Sequence, residues 1–320
     1  MISDDRSEHG AARFWAADIA YGLGKPPVLT RMQVFSLHIE DGRTFPEPGH
    51  GREASDAESI RFDSGNGALV WSSEGDARDG FGPAVRRMTI AGAPIAKLTL
   101  PSVFRFDPAA RGGPRSNLSI EGLTFTRHGH VLWLSLEAPL IRDGPIASRE
   151  SGADVRFTAV DPRSGALLHQ YAYHLEPIGP APQDRLADNG VSEILAIDNS
   201  HFLVIERSGV QQNDKEFLFR PRLFCASTRA ATPVGELASL HDAHVRPMPK
   251  RLVFDFTTVT APRIDNVEGM TWGPDLANGH RSLLFVTDND FSTKRPPTQL
   301  IAFDASAHSA QAFARAFCPR

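Results

Sequence analysis

The sequence predicts an all-β protein, and a β-propeller is the architecture that it favours. Short apolar segments with strand periodicity follow one another through the 320 residues, turn residues separate them, and convincing helical patterns are rare. One motif, a hairpin with an acidic residue on each strand, recurs four times. A recurring unit is typical of a propeller, whereas the second choice, a two-sheet sandwich, gives no reason for the recurrence.

The clearest of these hairpins is residues 117–137, NLSIEGLTFTRHGHVLWLSLE. Glu121 and Glu137 lie equally far from its predicted turn at 127–130. Antiparallel pairing is therefore expected to place them opposite each other, about 5 Å apart. The same symmetry relates three further pairs, which are Glu58 with Glu74, Glu193 with Glu206, and Glu268 with Asp288. We call the four segments the acid hairpins.

The spacing of the acid hairpins sets the expected size of each blade. Their first acids lie 63, 72 and 75 residues apart (58 to 121, 121 to 193, 193 to 268). A blade takes about 40–50 residues, so we expect blades that carry insertions. We predict a six-bladed propeller whose first blade is incomplete or divergent. The predicted organisation is an N-terminal segment at 1–54, the propeller at 55–304 and a C-terminal tail at 305–320.

The remaining elements are less clearly patterned. Residues 31–38 and 155–175 predict a strand and a hairpin, and residues 16–23 fit either a short helix or a strand. The best helical candidate is 229–250, and the tail from residue 305 is a second candidate.

Composition excludes several classes of protein. A net charge of −4 and a pI near 6.3 give no sign of a nucleic-acid partner. Mean hydropathy is −0.25, and no apolar run approaches the ~18 residues of a membrane span. Residues 1–15 lack the pattern of a signal peptide. Cys225 and Cys318 form neither a disulfide framework nor a metal-ligand cluster, so we expect unpaired thiols. We also expect the protein to be a monomer.

The recurring acids predict a cation site. Glu121 shares a strand face with Leu123 and Phe125, and an isolated charge at the mouth of such a face is costly unless it is paired, hydrogen-bonded or metal-bound. If the strands that start at the first acids are innermost, their carboxylates form one ring at a channel mouth. An oxygen-rich ring suits Ca²⁺, which takes six to eight oxygen ligands. The alternative is that each glutamate caps backbone amides of its own blade.

Other catalytic motifs are absent from the sequence, including GxSxG, HExxH, GxxxxGK[ST] and GxGxxG. Arg207, Lys294 and Arg295 follow acid hairpins and are candidate anion binders. The equal alternative for each is a salt bridge to a neighbouring acid.

Five segments, taken in order between residues 55 and 303, carry a family resemblance. They are DAESIRFD…LVWSSE, NLSIEGLTF…LWLSLEAPL, YAYHLEP, GVSEILAID…FLVIERSG and DNVEGMTWGP…SLLFVTDNDF. These segments resemble the phytase-like family of bacterial proteins with esterase-like activity. The resemblance implies a β-propeller that is exported. Through the calcium-dependent propeller phytases from which the family takes its name, it also implies a phosphoester hydrolase.

The chain departs from the family pattern in two places. Family members usually open with a strand pair before the first acid motif, and none is recognisable in residues 1–30. The family ending Asp-Asp-Asn-Phe appears here as Asp288-Asn289-Asp290-Phe291, which keeps the oxygen-bearing side chains in a different order.

Together the acids and the resemblance predict a Ca²⁺ site that acts on a small anionic substrate, a phosphate ester. The expected metal ligands are Glu58, Glu74, Glu121, Glu193, Glu268, Asp288, Asn289 and Asp290. Glu137 and Glu206 are expected to be further ligands or bases, with Arg207 or Lys294 neutralising the phosphate. Two alternatives stay open: a lactonase-like propeller hydrolase with one metal, and a non-catalytic propeller stabilised by cations.

Overall fold

The computed structural model describes residues 1–319 apart from 50, 108, 110, 127, 128, 214, 215, 242, 260 and 261. Arg127 and His128, half of one predicted turn, thus lie outside the described residues. The strands are β1 (Arg13–Gly22), β2 (Lys25–Ser36), β3 (Ala57–Asp63), β4 (Ala68–Ser73), β5 (Ala84–Met88), β6 (Pro94–Lys97), β7 (Ile120–Phe125), β8 (Leu132–Leu136), β9 (Ala153–Val160), β10 (Leu167–Leu175), β11 (Ala187–Ala196), β12 (His201–Gln211), β13 (Phe217–Ser227), β14 (Lys250–Asp255), β15 (Val267–Gly273), β16 (Ser282–Thr287) and β17 (Leu300–Asp304).

Helix is scarce in the described chain. Three short 3₁₀ helices are Ser102–Phe104, Ile141–Asp143 and Phe256–Thr258, and one α-helix, α1, spans Ala310–Phe317. The Ser309 hydroxyl caps α1 by accepting the Ala312 N–H at 3.1 Å. None of the described helices is long and apolar enough to cross a membrane.

The strands form four antiparallel sheets and a separate hairpin. The first sheet is β3-β4-β5-β6, the second β7-β8-β9-β10, the third β11-β12-β13-β14 and the fourth β15-β16-β17, while β1 and β2 form the N-terminal hairpin. The first strands of the four sheets, β3, β7, β11 and β15, contact one another in that order. The sheets are arranged as a β-propeller, which confirms the predicted fold class. The predicted number of six blades stays a prediction.

Separate hydrophobic cores lie between successive elements of the propeller, and a smaller cluster of Ala172, Val234 and Leu240 packs on β10. The core between the first and second sheets includes Val85 and Leu134, and the next one includes Phe157 and Phe202. The third core joins the third and fourth sheets to α1 through Leu223, Phe285 and Phe313. A fourth core packs the N-terminal hairpin on the first sheet. Packing between neighbouring sheets is therefore what holds the propeller together.

Two of the sequence predictions concerning the C-terminal part were wrong. Cys225 and Cys318 are joined in a disulfide, which ties the C-terminal end of α1 to strand β13. The fourth sheet lies between the two cysteines in the sequence. Sequence spacing could not indicate this contact, because the two cysteines are 93 residues apart and meet only through packing. The predicted helix at 229–250 is absent from its described residues. Pro233, Pro247 and Pro249 interrupt it, and Val234 donates instead to the backbone of β10.

Other local predictions were confirmed. Residues 16–23 belong largely to strand β1, the hairpin at 155–175 is β9–β10, and the tail from residue 305 contains α1. Residues 1–30, in which no strand pair was recognised from the sequence, contain β1 and the first half of β2, which form the N-terminal hairpin. Its Tyr21 hydroxyl lies 2.7 Å from the Ser282 hydroxyl of the fourth sheet, so the hairpin links the last sheet to the first.

Candidate metal centre

Each acid hairpin contains a β-bulge at or next to its first acid. In the second hairpin Glu121 is the extra residue between Ile120 and Gly122, and register shifts occur at the matching place in the other three. The residue opposite Glu137 is therefore Ser119, whose carbonyl accepts the Glu137 N–H at 2.7 Å. The prediction that paired acids are direct register partners was wrong, because turn symmetry does not reveal a bulge. The prediction that the hairpin brings its carboxyl groups together was confirmed for Glu121 and Glu137, each of which influences the pKa of the other. Bulges of this kind re-aim side chains near functional sites.

The register also shows which residues are equivalent in the four hairpins. In three of them the second acid donates its N–H to the carbonyl opposite, in the pairs Glu74–Asp56, Glu137–Ser119 and Asp288–Asn266. In the third hairpin the matching pair is Arg207 and Gly190. Ser192 and Arg207 thus hold the positions of the two acids, and Glu193 and Glu206 are each displaced by one residue. A shift by one residue moves a side chain to the other face of a strand.

Glu193 consequently lies between the inner strands of the first and third sheets. Its carboxylate forms a 2.5 Å ion pair with Arg61 and accepts hydrogen bonds from the Ser59 hydroxyl at 3.2 Å and the Ile194 N–H at 2.8 Å. The structure does not bring Glu193 together with the other first acids.

Glu206 is fully buried between the second and third sheets. It accepts hydrogen bonds from the Tyr173 hydroxyl at 2.7 Å, the Glu176 N–H at 3.0 Å and the Lys250 ammonium at 2.5 Å, and Asn189 donates to it at 3.2 Å. These donors saturate both carboxylate oxygens, which is the arrangement of a structural ion pair. Glu206 is not among the acids that gather at the open ends of the hairpins.

Nine carboxyl groups do gather there, and we call them the acid cluster. They are Asp4, Asp56, Glu58, Glu74, Glu121, Glu137, Glu268, Asp288 and Asp290. Three groups within the cluster have carboxylate oxygens within 4.8 Å of one another, namely Asp4–Asp56–Glu58, Glu58–Glu74–Glu121 and Glu268–Asp288–Asp290. Glu58 belongs to two of these groups. The groups contain six of the predicted metal ligands and leave out Glu193 and Asn289.

Sequence reasoning missed two members of the acid cluster. Asp56 lies two residues before Glu58, and that spacing could have identified it. Asp4 belongs to the N-terminal segment, where nothing in the local pattern signals a site. Its pKa is influenced by Asp56 on one side and by Asp288 on the other, so it lies between the first and fourth acid hairpins. The segment is anchored by a 2.5 Å ion pair between Arg6 and Asp56.

The turn after the fourth hairpin holds its two acids in a strained backbone. Asp290 and Phe291 have φ of 47° and 53°, values that are uncommon for residues other than glycine. The Asp290 N–H donates to Asp288 Oδ1 at 2.7 Å, and the Asn266 amide donates to Asp290 Oδ1 at 3.1 Å. The ring of Phe291 stacks on His9 of the N-terminal segment, with centroids 4.1 Å apart. The turn is therefore fixed from both sides.

Arg207 is the cation at the centre of the acid cluster. Its Nη2 donates to Glu137 Oε1 at 2.7 Å, and its Nη1 donates to Asn266 Oδ1 at 3.0 Å and to Glu268. Space for this contact depends on Gly190, because a Cβ there would lie 2.4 Å from the Glu137 side chain. In the described chain, three arginines form ion pairs with the nine carboxyl groups, namely Arg6, Arg207 and Arg295.

Desolvation and mutual repulsion raise the pKa values of the cluster. Burial raises the pKa of Glu58 well above 4.5, and Asp4 and Glu121 raise it further. The pKa values of Glu74, Glu121 and Glu268 are also raised well above 4.5, first by burial and then by neighbouring carboxylates. Desolvation by the surrounding chain and then the nearby Asp56, Asp288 and Asp290 raise the pKa of Asp4 to about 8, although the residue is partly open to solvent; the neighbouring acids are therefore the firmer cause. Burial raises the pKa of Glu137 to about 7, against the lowering effect of Arg207.

The other predicted site residues lie at the edge of the acid cluster. The Lys294 ammonium is 4.0 Å from a Glu216 carboxylate oxygen, and 58% of its side chain is exposed. The Asn289 amide donates to the Ser292 carbonyl at 3.4 Å within the turn. Arg295 pairs with both Glu216 and Asp290. Their predicted roles in binding metal or phosphate stay predictions.

Comparison with known families identifies the family of the chain. Residues 1–291 match the family model described as Phytase-like: Esterase-like activity of phytase. The chain belongs to the phytase-like family. The match to this phytase-like model starts at residue 1, so it includes the N-terminal hairpin and Asp4 as well as all four acid hairpins. No curated protein matches the chain.

Proposed function

We propose that this phytase-like propeller is a calcium-dependent phosphoester hydrolase and that the acid cluster is its site. One observation carries the proposal: nine carboxyl groups lie together, and the described residues supply only three arginines to them. Such an excess of like charge is costly in a folded protein unless protons or cations neutralise it.

The donor set suits calcium in chemistry and in spacing. Carboxylate oxygens are the ligands of hard cations, and ligands on opposite sides of a Ca²⁺ ion are about 5 Å apart. Oxygens within 4.8 Å of one another in each of the three groups are compatible with this separation. Glu58 would be shared by two ions, one held with Asp4 and Asp56 and the other with Glu74 and Glu121. A bound cation would neutralise phosphate oxygens and lower the pKa of water.

The residues of the chain can then be given roles. Glu137 is the candidate base, since its pKa near 7 lets it accept a proton at neutral pH and release it again. Arg207 positions the side chains of Glu137 and Glu268, because its guanidinium group donates a hydrogen bond to each carboxylate. The family description, which names esterase-like activity, supports a hydrolase of ester bonds but does not specify the substrate.

The test is hydrolysis of a panel of phosphomonoesters and of sugar lactones, each with calcium or with a chelator. We expect phosphomonoester hydrolysis that needs calcium and that falls at least tenfold in Glu121→Gln at limiting calcium. Glu150→Gln, in an exposed loop, is the matched control and should retain full activity. Hydrolysis of lactones alone, or phosphatase activity unchanged by the chelator, would contradict the proposal.

A further inference from the structure

A second cluster of chemically active side chains lies at the other end of the fourth sheet. His280 belongs to the turn between β15 and β16, and His308 follows β17. Their imidazole rings lie 4.5 Å apart between centroids, with an interplanar angle of 65°. His280 and Asp288 lie at opposite ends of β16, so this pair is about 20 Å or more from the acid cluster.

Both histidines have one ring nitrogen tied to an acceptor. His280 Nδ1 lies 2.8 Å from Asp304 Oδ1, and His308 Nδ1 lies 2.9 Å from the Gly279 carbonyl oxygen. The Asn278 amide is also 3.2 Å from His280 Nδ1, but it donates at the shorter distance of 2.8 Å to Asp304. Because a carboxylate or a carbonyl can only accept, we assign the hydrogen to each Nδ1 and a lone pair to each Nε2. The two rings therefore offer unprotonated Nε2 atoms from neighbouring positions.

The partners of the histidines are themselves fixed. Asp304 accepts hydrogen bonds from the Asn278 amide at 2.8 Å and from the Ser306 N–H at 2.7 Å, which orients its carboxylate toward His280. A Cβ at residue 279 would lie 3.3 Å from His308 Nδ1, and the φ of Gly279 is +77°. Glycine thus permits the close approach of its carbonyl to the second imidazole.

We propose that Nε2 of His280 and Nε2 of His308 together bind a transition-metal ion of the Zn²⁺ class. Imidazole nitrogen suits Zn²⁺, Cu²⁺ and Ni²⁺, whereas the oxygens of the acid cluster suit Ca²⁺. Histidines that bind metal through one nitrogen usually donate the other N–H to a carboxylate or backbone carbonyl, and both arrangements occur here. Water completes the coordination, since His308 is exposed.

Such an ion would connect the β15–β16 turn with the segment that leads into α1. Arg281 donates its N–H to Ala307 and accepts from Ala305 in the same region, so the metal would reinforce an existing contact. The site would stabilise the C-terminal part of the fourth sheet independently of the chemistry at the acid cluster.

The test is a Zn²⁺ titration by calorimetry in excess calcium, which keeps the acid cluster filled with a hard cation. We expect the wild-type protein to bind one Zn²⁺ at this site and to gain thermal stability from it. His280→Ala and His308→Ala should each lower the affinity at least tenfold. Asp304→Asn should lower it about 10- to 100-fold, as is typical when a partner of a metal-binding histidine is altered.

His169→Ala supplies the control, because His169 is an exposed histidine on β10 that lies outside this pair. It should bind Zn²⁺ as the wild-type protein does. His308→Ala removes an exposed side chain, so its melting temperature without metal should stay close to wild type and keep the comparison interpretable. Absence of Zn²⁺ binding by the wild-type protein, or equal affinity in His308→Ala and His169→Ala, would overturn the proposal.

Discussion

Arg207 and Glu137 occupy equivalent positions in consecutive acid hairpins, and they contact each other. Arg207 Nη2 lies 2.7 Å from Glu137 Oε1. The first, second and fourth acid hairpins have an acid at this position, and the third has Arg207. The acid cluster therefore contains its own internal cation. The substitution of one charge by its opposite within the repeat neutralises part of the cluster, through the ion pairs of Arg207 with Glu137 and Glu268.

Arg207→Gln should destabilise the metal-free protein strongly. Removing one partner from a buried ion pair costs about 3–5 kcal/mol, because the remaining charges lose their compensation. Calcium should restore more stability to this variant than to wild type, since the cation takes over the neutralisation. Thermal unfolding with and without calcium measures both effects. Arg163→Gln, at an exposed turn, is the control; equal calcium responses in both variants would argue against a central role for Arg207.

The pH dependence of metal-free stability follows from the raised pKa values. A carboxyl group with a higher pKa in the folded state binds its proton more tightly when folded. Its stabilising contribution is therefore full below the unfolded pKa of about 4 and is lost as pH rises through the folded pKa. For Glu137 and Asp4 these folded values are about 7 and about 8.

We therefore expect the melting temperature of the metal-free protein to decrease as the pH rises from about 5 to about 9, the range that those pKa values set. Calcium should abolish most of the fall. Asp4→Asn should flatten the upper part of the curve. A melting temperature that rises with pH over this window in chelator would show that these carboxyl groups are not coupled as described.

The sequence predicted much of this arrangement, because the fold and the cluster depend on local patterns that repeat. Strand periodicity identified the hairpins, and the recurrence of acids at Glu58, Glu121 and Glu268 identified the inner strands that carry them. The sequence could not predict features that depend on register or on distant contacts. In the third hairpin the bulged residue is Ser192 and the acid follows it, so Glu193 lies on the other face of the strand and outside the cluster. Asp4 joins the cluster only through packing.

Glu193→Gln tests this reassignment. Its carboxylate pairs with Arg61 at 2.5 Å, so the change should leave Arg61 without a counter-charge and cost about 3 kcal/mol or more of stability. Calcium affinity should stay at the wild-type value, because the residue lies outside the three acid groups. Unfolding curves and calcium titrations give the two results. A large loss of calcium affinity at unchanged stability would return Glu193 to the metal site.

The disulfide should contribute substantially to stability. Cys225 and Cys318 are 93 residues apart, and for a loop of that length chain-entropy arguments give about 4.6 kcal/mol. A reductant should lower the melting temperature of the wild-type protein. Cys318→Ala should start from the lower value and show no further response to reductant. If wild type and Cys318→Ala melt alike under oxidising conditions, the bond does not contribute as described.

Calcium titration of Glu58→Gln is the decisive experiment on whether the acid cluster binds divalent cations. Glu58 belongs to two of the three acid groups, so loss of its charge should weaken two ions at once. Calorimetry on metal-free protein should show calcium binding to wild type and to Glu150→Gln with equal affinity, and at least tenfold weaker binding to Glu58→Gln. Identical isotherms for Glu58→Gln and Glu150→Gln, with both proteins folded, would show that the acid cluster is not a cation site.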